Sequence, residues 1–170
     1  MSLNKLTEDE FSDIYEKNLN SIYVLCYSYM GNKSDAEDAA QETFIRLIKC
    51  GNRFESDEHI KAWLIVTAMN VCKTMLKHWT KQKRDDSREV IDIPDTVSEK
   101  NYELIQNILE LPEKYKTVIY MYYYEGFSTS EISDFLKISE SSVRSRLARG
   151  RNILKEDITL SNKEVYEWMI

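Results

Sequence analysis

Residues 128–150 read STSEISDFLKISESSVRSRLARG, and this stretch decides the fold. Ser128 followed by Glu131 is a capping box, so a helix starts there and its apolar residues carry it to about Leu136. Lys137-Ile138-Ser139 is too short for anything but a tight turn, and a second, longer helix starts at about Glu140. Ile132, Leu136, Ile138, Val143 and Leu147 recur at the spacing that buries one side of both helices. Helix, tight turn and helix with a shared apolar seam is a helix-turn-helix.

With Val143, Leu147 and Leu154 set inward, the wheel of the second helix turns Ser141, Ser145, Ala148 and Asn152 outward, with Ser142 beside them. Short residues at the centre of a face let backbone approach a groove. Arg144 and Arg149 flank that face as cationic forks able to reach guanine edges or phosphates. Arg146 and Arg151 fall nearer the core boundary and suit phosphate contact or intramolecular pairing.

Working toward the N-terminus, Pro112 fits the first position of a helix carrying Tyr115, Val118, Ile119 and Tyr122 inward and ending before Gly126. A short helix over residues 102–111 precedes it. The tyrosine run Tyr122-Tyr123-Tyr124 is expected to pack, not to act as a nucleophile. Residues 85–101 are charged, contain Pro94 and lack periodicity, which predicts a linker.

Three further helices are predicted before it. The first opens on the capping box Thr7-x-x-Glu10, runs to Met30 with Phe11, Ile14, Tyr15, Leu19, Ile22, Cys26 and Tyr29 inward, and stops at Gly31-Asn32. The second, opened by Ser34-x-x-Glu37, runs to about Lys49 with Ala36, Ala40, Phe44 and Leu47 as its core stripe. Its opposite face carries Asp38, Gln41, Glu42 and Ile45, an apolar residue ringed by acceptors that fits a basic protein partner or, equally, plain solvent.

The third helix runs from about His59 to Lys83, with Ile60, Trp63, Leu64, Thr67, Val71 and Met75 expected inward. Another stripe holds Asn70, Lys73, Lys77, Thr80 and Arg84, with Trp79 among the charges and the loop residues Arg53 and Phe54 before the helix. Cations interleaved with aromatics suit single-stranded nucleic acid, because every base offers a face for stacking. Trp63 is assigned to the core, whereas Trp79 is divided between core and stacking.

Bulk properties agree. Four glycines and two prolines in 170 residues leave few turns, against a sandwich or barrel and for long helices. The net charge of −6 hides a pattern. Residues 61–84 hold six basic and no acidic residues, 85–113 nine acidic and two basic, and 137–155 six basic and one acidic. Two cationic blocks flank an acidic connector, and local charge is what meets a phosphate backbone. No stretch approaches the ~20 apolar residues of a membrane span, and the polar first ten residues carry no signal-peptide core. Cys26, Cys50 and Cys72 lack metal-ligand spacing and read as reduced, mostly buried residues of a cytoplasmic protein. No phosphate loop, nucleophile elbow or metalloprotease motif is present, and His59 and His78 lack an evident catalytic partner, so neither enzyme nor cofactor is expected.

Three segments resemble one family. Asp35 to Phe44 is similar to the helix by which bacterial sigma factors grip the clamp helices of the polymerase largest subunits. Trp63-Leu64 with Ala68-Met69-Asn70 resembles the helix that melts and reads the minus-ten promoter element, although Met69 stands where arginine is common. Leu111-Pro112-Glu113-Lys114-Tyr115, Glu125-Gly126-Phe127-Ser128 and residues 143–151 resemble the domain that reads the minus-thirty-five element. The resemblance spans Phe11 to Lys155 in order. The missing middle domain points to the extracytoplasmic-function group.

It implies an all-α fold of two helical domains (residues 1–84 and 102–157) joined by a flexible acidic linker, with residues 158–170 outside it. It also implies docking on core RNA polymerase, contact with duplex and melted promoter DNA, and control by an anti-sigma factor, without membrane insertion. A free-standing repressor would need its own dimer seam, and the N-terminal half has no heptad pattern. A polymerase-binding adaptor that does not initiate is the other rival.

Overall fold

The computed structural model describes residues 5–51, 54–79, 107, 108 and 110–158. Every regular element among them is helical, and the chain divides into two compact units, Met1–Val97 and Ser98–Ile170. Segment 85–101, where a linker is expected, lies outside the described residues, as do Arg53, Thr80, Arg84 and residues 159–170. No described helix is long and apolar enough to cross a membrane.

The first unit is three helices packed pairwise: α1 (Glu8–Met30), α2 (Lys33–Cys50) and α3 (Asp57–Trp79). Thr7 caps α1 with a complete capping box, its Oγ1 accepting from Glu10 N while Glu10 Oε2 accepts from Thr7 N at 2.8 Å. Those Thr7 donors hold the Glu10 carboxyl below its ordinary range. Gly31 ends α1 at φ 75°, the left-handed conformation that glycine adopts without a Cβ penalty. The cap of α2 is Asn32, whose side chain accepts from Asp35 N, and not Ser34. Both are good capping residues, and Asn32 follows the chain reversal directly.

Between these helices lie Ile22, Leu25, Cys26, Ala36, Ala39, Ala40, Phe44, Leu47, Leu64, Ile65, Ala68 and Cys72, all buried. Buried polar side chains bond back to their own helix, Asn18 to Ile14 O at 2.8 Å and Thr43 to Ala39 O at 2.8 Å. Two expectations fail here. Tyr15 remains 36% exposed, propped edge-on against Phe44. The inward stripe of α3 is rotated: Ala62, Leu64, Ile65, Ala68, Val71 and Cys72 are buried, whereas Ile60, Trp63, Thr67 and Met75 are half-buried. Small residues permit the close approach of α1 and α2, so large ones are displaced to the rim.

The second unit is built on α4 (Glu113–Ile119), a π-helical turn over Tyr120–Tyr124, α5 (Thr129–Leu136) and α6 (Glu140–Ile158). Pro112 is the cap of α4 and not its first residue. The π turn, with Glu125 N bonded to Tyr120 O at 3.2 Å, takes up one residue more than an α turn and shifts the later residues in phase. Tyr120 and Met121 are therefore buried, and Tyr122, expected inward, is 37% exposed. Tyr120 stacks on Tyr124 with centroids 4.8 Å apart and donates to Glu125 Oε1 at 2.8 Å.

Ser128 caps α5, its Oγ accepting from Glu131 N at 3.1 Å, while the Glu131 carboxylate accepts from the Ser128 hydroxyl and not from its N–H, so the box is half formed. Lys137 then adopts φ 54°, a left-handed turn that costs a non-glycine residue roughly 1–2 kcal/mol. It is held by its own N–H on Ser133 O and by Ser133 Oγ on Ile138 O at 2.7 Å. Ile132, Val143, Leu147 and Leu154 are fully sequestered, while Leu136 and Ile138 are half-buried. Gly150 marks the crossing of α6 with α4, where a Cβ would lie 2.9 Å from Ile119 Cγ1.

Candidate nucleic-acid and docking surfaces

On α6, Ser141, Arg144, Ser145, Ala148, Arg149 and Asn152 are all outside the core, so the helix presents the centre and rims that its wheel predicts. Three of these side chains are engaged within the chain, Ser141 with Ser139 Oγ at 3.1 Å. Arg144 Nη1 lies 3.2 Å from Glu140 Oε1. Arg149, ahead of nearby Lys114, pulls the Tyr115 phenol below its ordinary value. The Lys114 ammonium also sits 5.0 Å from the Tyr115 ring centroid.

Ser142, beside that face, is half-buried and lies in the first turn of the helix. Its N–H donates to Ser139 Oγ at 3.1 Å and its hydroxyl lies 2.7 Å from the same atom. Arg151 pairs internally, donating to Tyr123 Oη at 3.2 Å.

On α3, Asn70 and Lys77 are exposed and Lys73 is half-buried. Their i, i+3, i+7 spacing puts them on one stripe. Trp63 extends it, because Trp63, Asn70 and Lys77 are successive i, i+7 positions. The aromatic ring on this stripe, two turns before Asn70, is therefore Trp63, which the apolar spacing assigns to the core. Phe54 packs edge-on against Trp63 at 5.8 Å and against His59 at 5.5 Å, so the loop aromatic is tied to the helix. The i, i+4 spacing of His59 and Trp63 was the signal for that cluster. Trp79 ends α3.

On α2, Asp38 and Gln41 are exposed, and Glu42 is half-exposed with Arg46 Nε bonded to its Oε1 at 3.1 Å. Ile45 is 41% exposed, and Ile48, absent from the expected docking face, is 51% exposed. Gln41, Ile45 and Ile48 succeed one another at i, i+4, i+7, so the apolar part of this face is twice what one isoleucine offers. A pair of exposed isoleucines on a helix whose other side is well buried has no use in this unit's own core.

Comparison with known proteins places the chain in a family. Residues 14–84 match Sigma-70 region 2 and residues 102–154 match Sigma-70, region 4. The chain is 30% identical to the ECF RNA polymerase sigma factor SigW of Bacillus subtilis, over 92% of each chain. It is 28% identical to SigM of the same organism, over 84% of this chain and 91% of that one. Among solved structures, the sigma factor RpoE from Bartonella quintana, crystallised with the anti-sigma factor NepR, superposes with a TM-score of 0.70 at 20% identity, covering 92% of this chain and 100% of that one. CnrH, solved with the cytosolic domain of CnrY, gives 0.66 at 18% identity over 92% of each. The chain belongs to the extracytoplasmic-function RNA polymerase sigma factors, carrying regions 2 and 4 in series.

Proposed function

We propose that this chain binds core RNA polymerase and directs promoter-specific initiation by reading two promoter elements with its two helical units. The α2 face of Asp38, Gln41, Glu42 and Ile45, extended by Ile48, docks on the polymerase largest subunits. The α3 stripe of Asn70, Lys73 and Lys77, with Trp63, Phe54, Trp79, Arg53, Thr80 and Arg84, takes the minus-ten element as it melts. The α6 face of Ser141, Ser142, Arg144, Ser145, Ala148, Arg149 and Asn152 reads the minus-thirty-five element in the duplex. We assign residues 1–84 and 102–157 to these two tasks, with 85–101 as connector.

Recognition is composite. Each DNA surface alone is small, and much of its affinity is salt-dependent phosphate contact. Docking both on one polymerase turns the second contact into an intramolecular event of high effective concentration. The protein acts in the cytoplasm, where core polymerase is, and performs no catalysis of its own. An anti-sigma partner is expected to cover one or more of these surfaces.

The observation that carries this reading is the α6 face: short exposed residues between two cationic forks, on the second helix of a helix-turn-helix. The test is run-off transcription from genomic DNA with purified chain and core polymerase, and mapping of the transcript starts. Start sites that move with the added chain support it. A chain that neither joins core polymerase nor redirects initiation overturns it.

A further inference from the structure

We propose that Glu140 is a specificity-determining positioning residue: it holds the Arg144 guanidinium so that the remaining N–H fork addresses a base edge and not whichever phosphate lies nearest. The proposal rests on the reading of α6 as the minus-thirty-five helix.

Glu140 is the first residue of α6. One of its carboxylate oxygens takes a hydrogen bond and an ion pair. Thr129 Oγ1, at the first position of α5, donates to Oε1 at 2.9 Å. Arg144 Nη1 lies 3.2 Å from the same atom. One contact anchors the carboxylate to the other helix of the motif, and the other tethers a long side chain one turn further along. The serine hydroxyls of the first turn of α6 are occupied with one another, Ser139 Oγ lying 2.7 Å from Ser142 Oγ and 3.1 Å from Ser141 Oγ. Glu140 is thus the group of that turn placed to hold the arginine.

The tether is too exposed to be explained as a stabilising ion pair. Arg144 and Glu140 are 60% and 45% exposed as side chains, a setting in which ion pairs contribute little to folding. Its effect is on what Arg144 can reach. A free arginine loses much rotamer freedom when it orders on a base, and a pre-held one has already lost it. Guanidinium has five N–H donors; with Nη1 held beside Glu140 by charge, a two-donor fork is left for guanine O6 and N7. The carboxylate also repels phosphate, so it subtracts from sequence-indifferent attraction while leaving the directed contact. Specificity is a difference of affinities, and Glu140 acts on both members of that difference.

The test uses holoenzyme reconstituted from core polymerase and the full chain. The probes are a promoter duplex found by start-site mapping, the same duplex with each minus-thirty-five guanine pair replaced in turn, and a promoterless duplex of equal length. Glu140→Ala is expected to lower the ratio of promoter to substituted-promoter affinity by about fivefold or more, the discrimination of one bidentate contact. It should also steepen the salt dependence of promoterless binding by about one unit, as a freed arginine finds a phosphate. With Arg144→Ala already present, Glu140→Ala should change the ratio no further. Glu140→Gln keeps an acceptor for both partners and should recover part of the ratio, which guards against a misfolded alanine variant.

Equal loss of discrimination with and without Arg144 overturns the proposal, as does an unchanged ratio with an unchanged salt slope. A wild-type holoenzyme that selects no promoter overturns the underlying reading as well, so the two failures are told apart.

Discussion

Replacing Gly150 by alanine sets two known effects against each other at one place. In an exposed helix the change gains roughly 1 kcal/mol of propensity. Here the new methyl would lie 2.9 Å from Ile119 Cγ1, 3.0 Å from Ile119 Cδ1 and 3.5 Å from Tyr115 Cβ. Ile119 is fully buried and branched at Cβ, so its side chain cannot swing aside without meeting its own helix. Forcing a methylene into a closed contact of this kind costs about 1–3 kcal/mol. The two effects leave a net destabilisation of about 0–2 kcal/mol for Gly150→Ala, and more for Gly150→Val.

Urea unfolding of the full chain, with hydrogen exchange on peptides from α4 and α6, assigns the loss to the second unit. Ile119→Val removes Cδ1 and costs about 0.5–1.5 kcal/mol by itself. In the Gly150→Ala background it should cost about 0.5 kcal/mol less, because there the missing Cδ1 also relieves the clash with the new methyl. Stabilisation by the full propensity gain, with Ile119→Val costing the same in both backgrounds, would refute the close crossing of α4 and α6.

Arg149→Ala should weaken promoter binding by holoenzyme by about 1–3 kcal/mol and relax discrimination at the minus-thirty-five element; normal promoter selection would remove Arg149 from the reading face. Asp38→Arg combined with Glu42→Arg should abolish core polymerase pull-down while circular dichroism stays unchanged, and undiminished retention would sink the docking face. Cys26 and Cys72 meet between α1 and α3, both buried, and the Cys72 thiol, with burial second, pushes the Cys26 thiol well up. The neutral thiol is the form the fold favours, so its contribution is complete below the unfolded value of about 8.5 and fades as pH rises above it. Urea titrations from pH 7 to 10 should show the first unit weakening, and a flatter profile in Cys26→Ala; identical profiles would contradict the thiol contact.

The helix-turn-helix was legible because its signals are local. Ser128 and Glu131 lie three residues apart, the turn is three residues long, and the apolar spacing needs no distant partner. Tyr122 was misplaced because the π turn breaks the 3.6-residue period on which the assignment depended. Trp63 was misplaced for a different reason. The spacing through Ile60, Trp63 and Thr67 sets the wheel slightly off the face that carries Ala62, Ile65, Ala68 and Cys72, and the tryptophan falls at the rim. Asn32 and Ser34 are equivalent as capping types, and only the backbone path chooses between them. Arg149 on Tyr115 joins residues on different helices, which no periodicity reports. Glu140 and Arg144 are an ordinary i, i+4 pair in sequence, and the bond from Thr129 to Glu140 is what ties that pair to α5.

The engagement of the α6 arginines bears on why an acidic chain can be a promoter reader. Arg144 is tied to Glu140, Arg149 to Tyr115 and Arg151 to Tyr123. A free chain that neutralises only about two phosphates through this face would lose about tenfold in affinity between 50 and 200 mM salt, and its starting affinity would be correspondingly low. With a net charge of −6, the rest of the molecule opposes rather than assists approach to DNA. Weak binding by the free chain is thus built from the same contacts that hold each fork in a defined position. On the proposed reading affinity comes from elsewhere, and the exposed Ile45–Ile48 pair is the described surface suited to supply it, by fixing the first unit on a body already bound to DNA. On that reading the work is divided: promoter choice by held geometry, retention on the template by the polymerase.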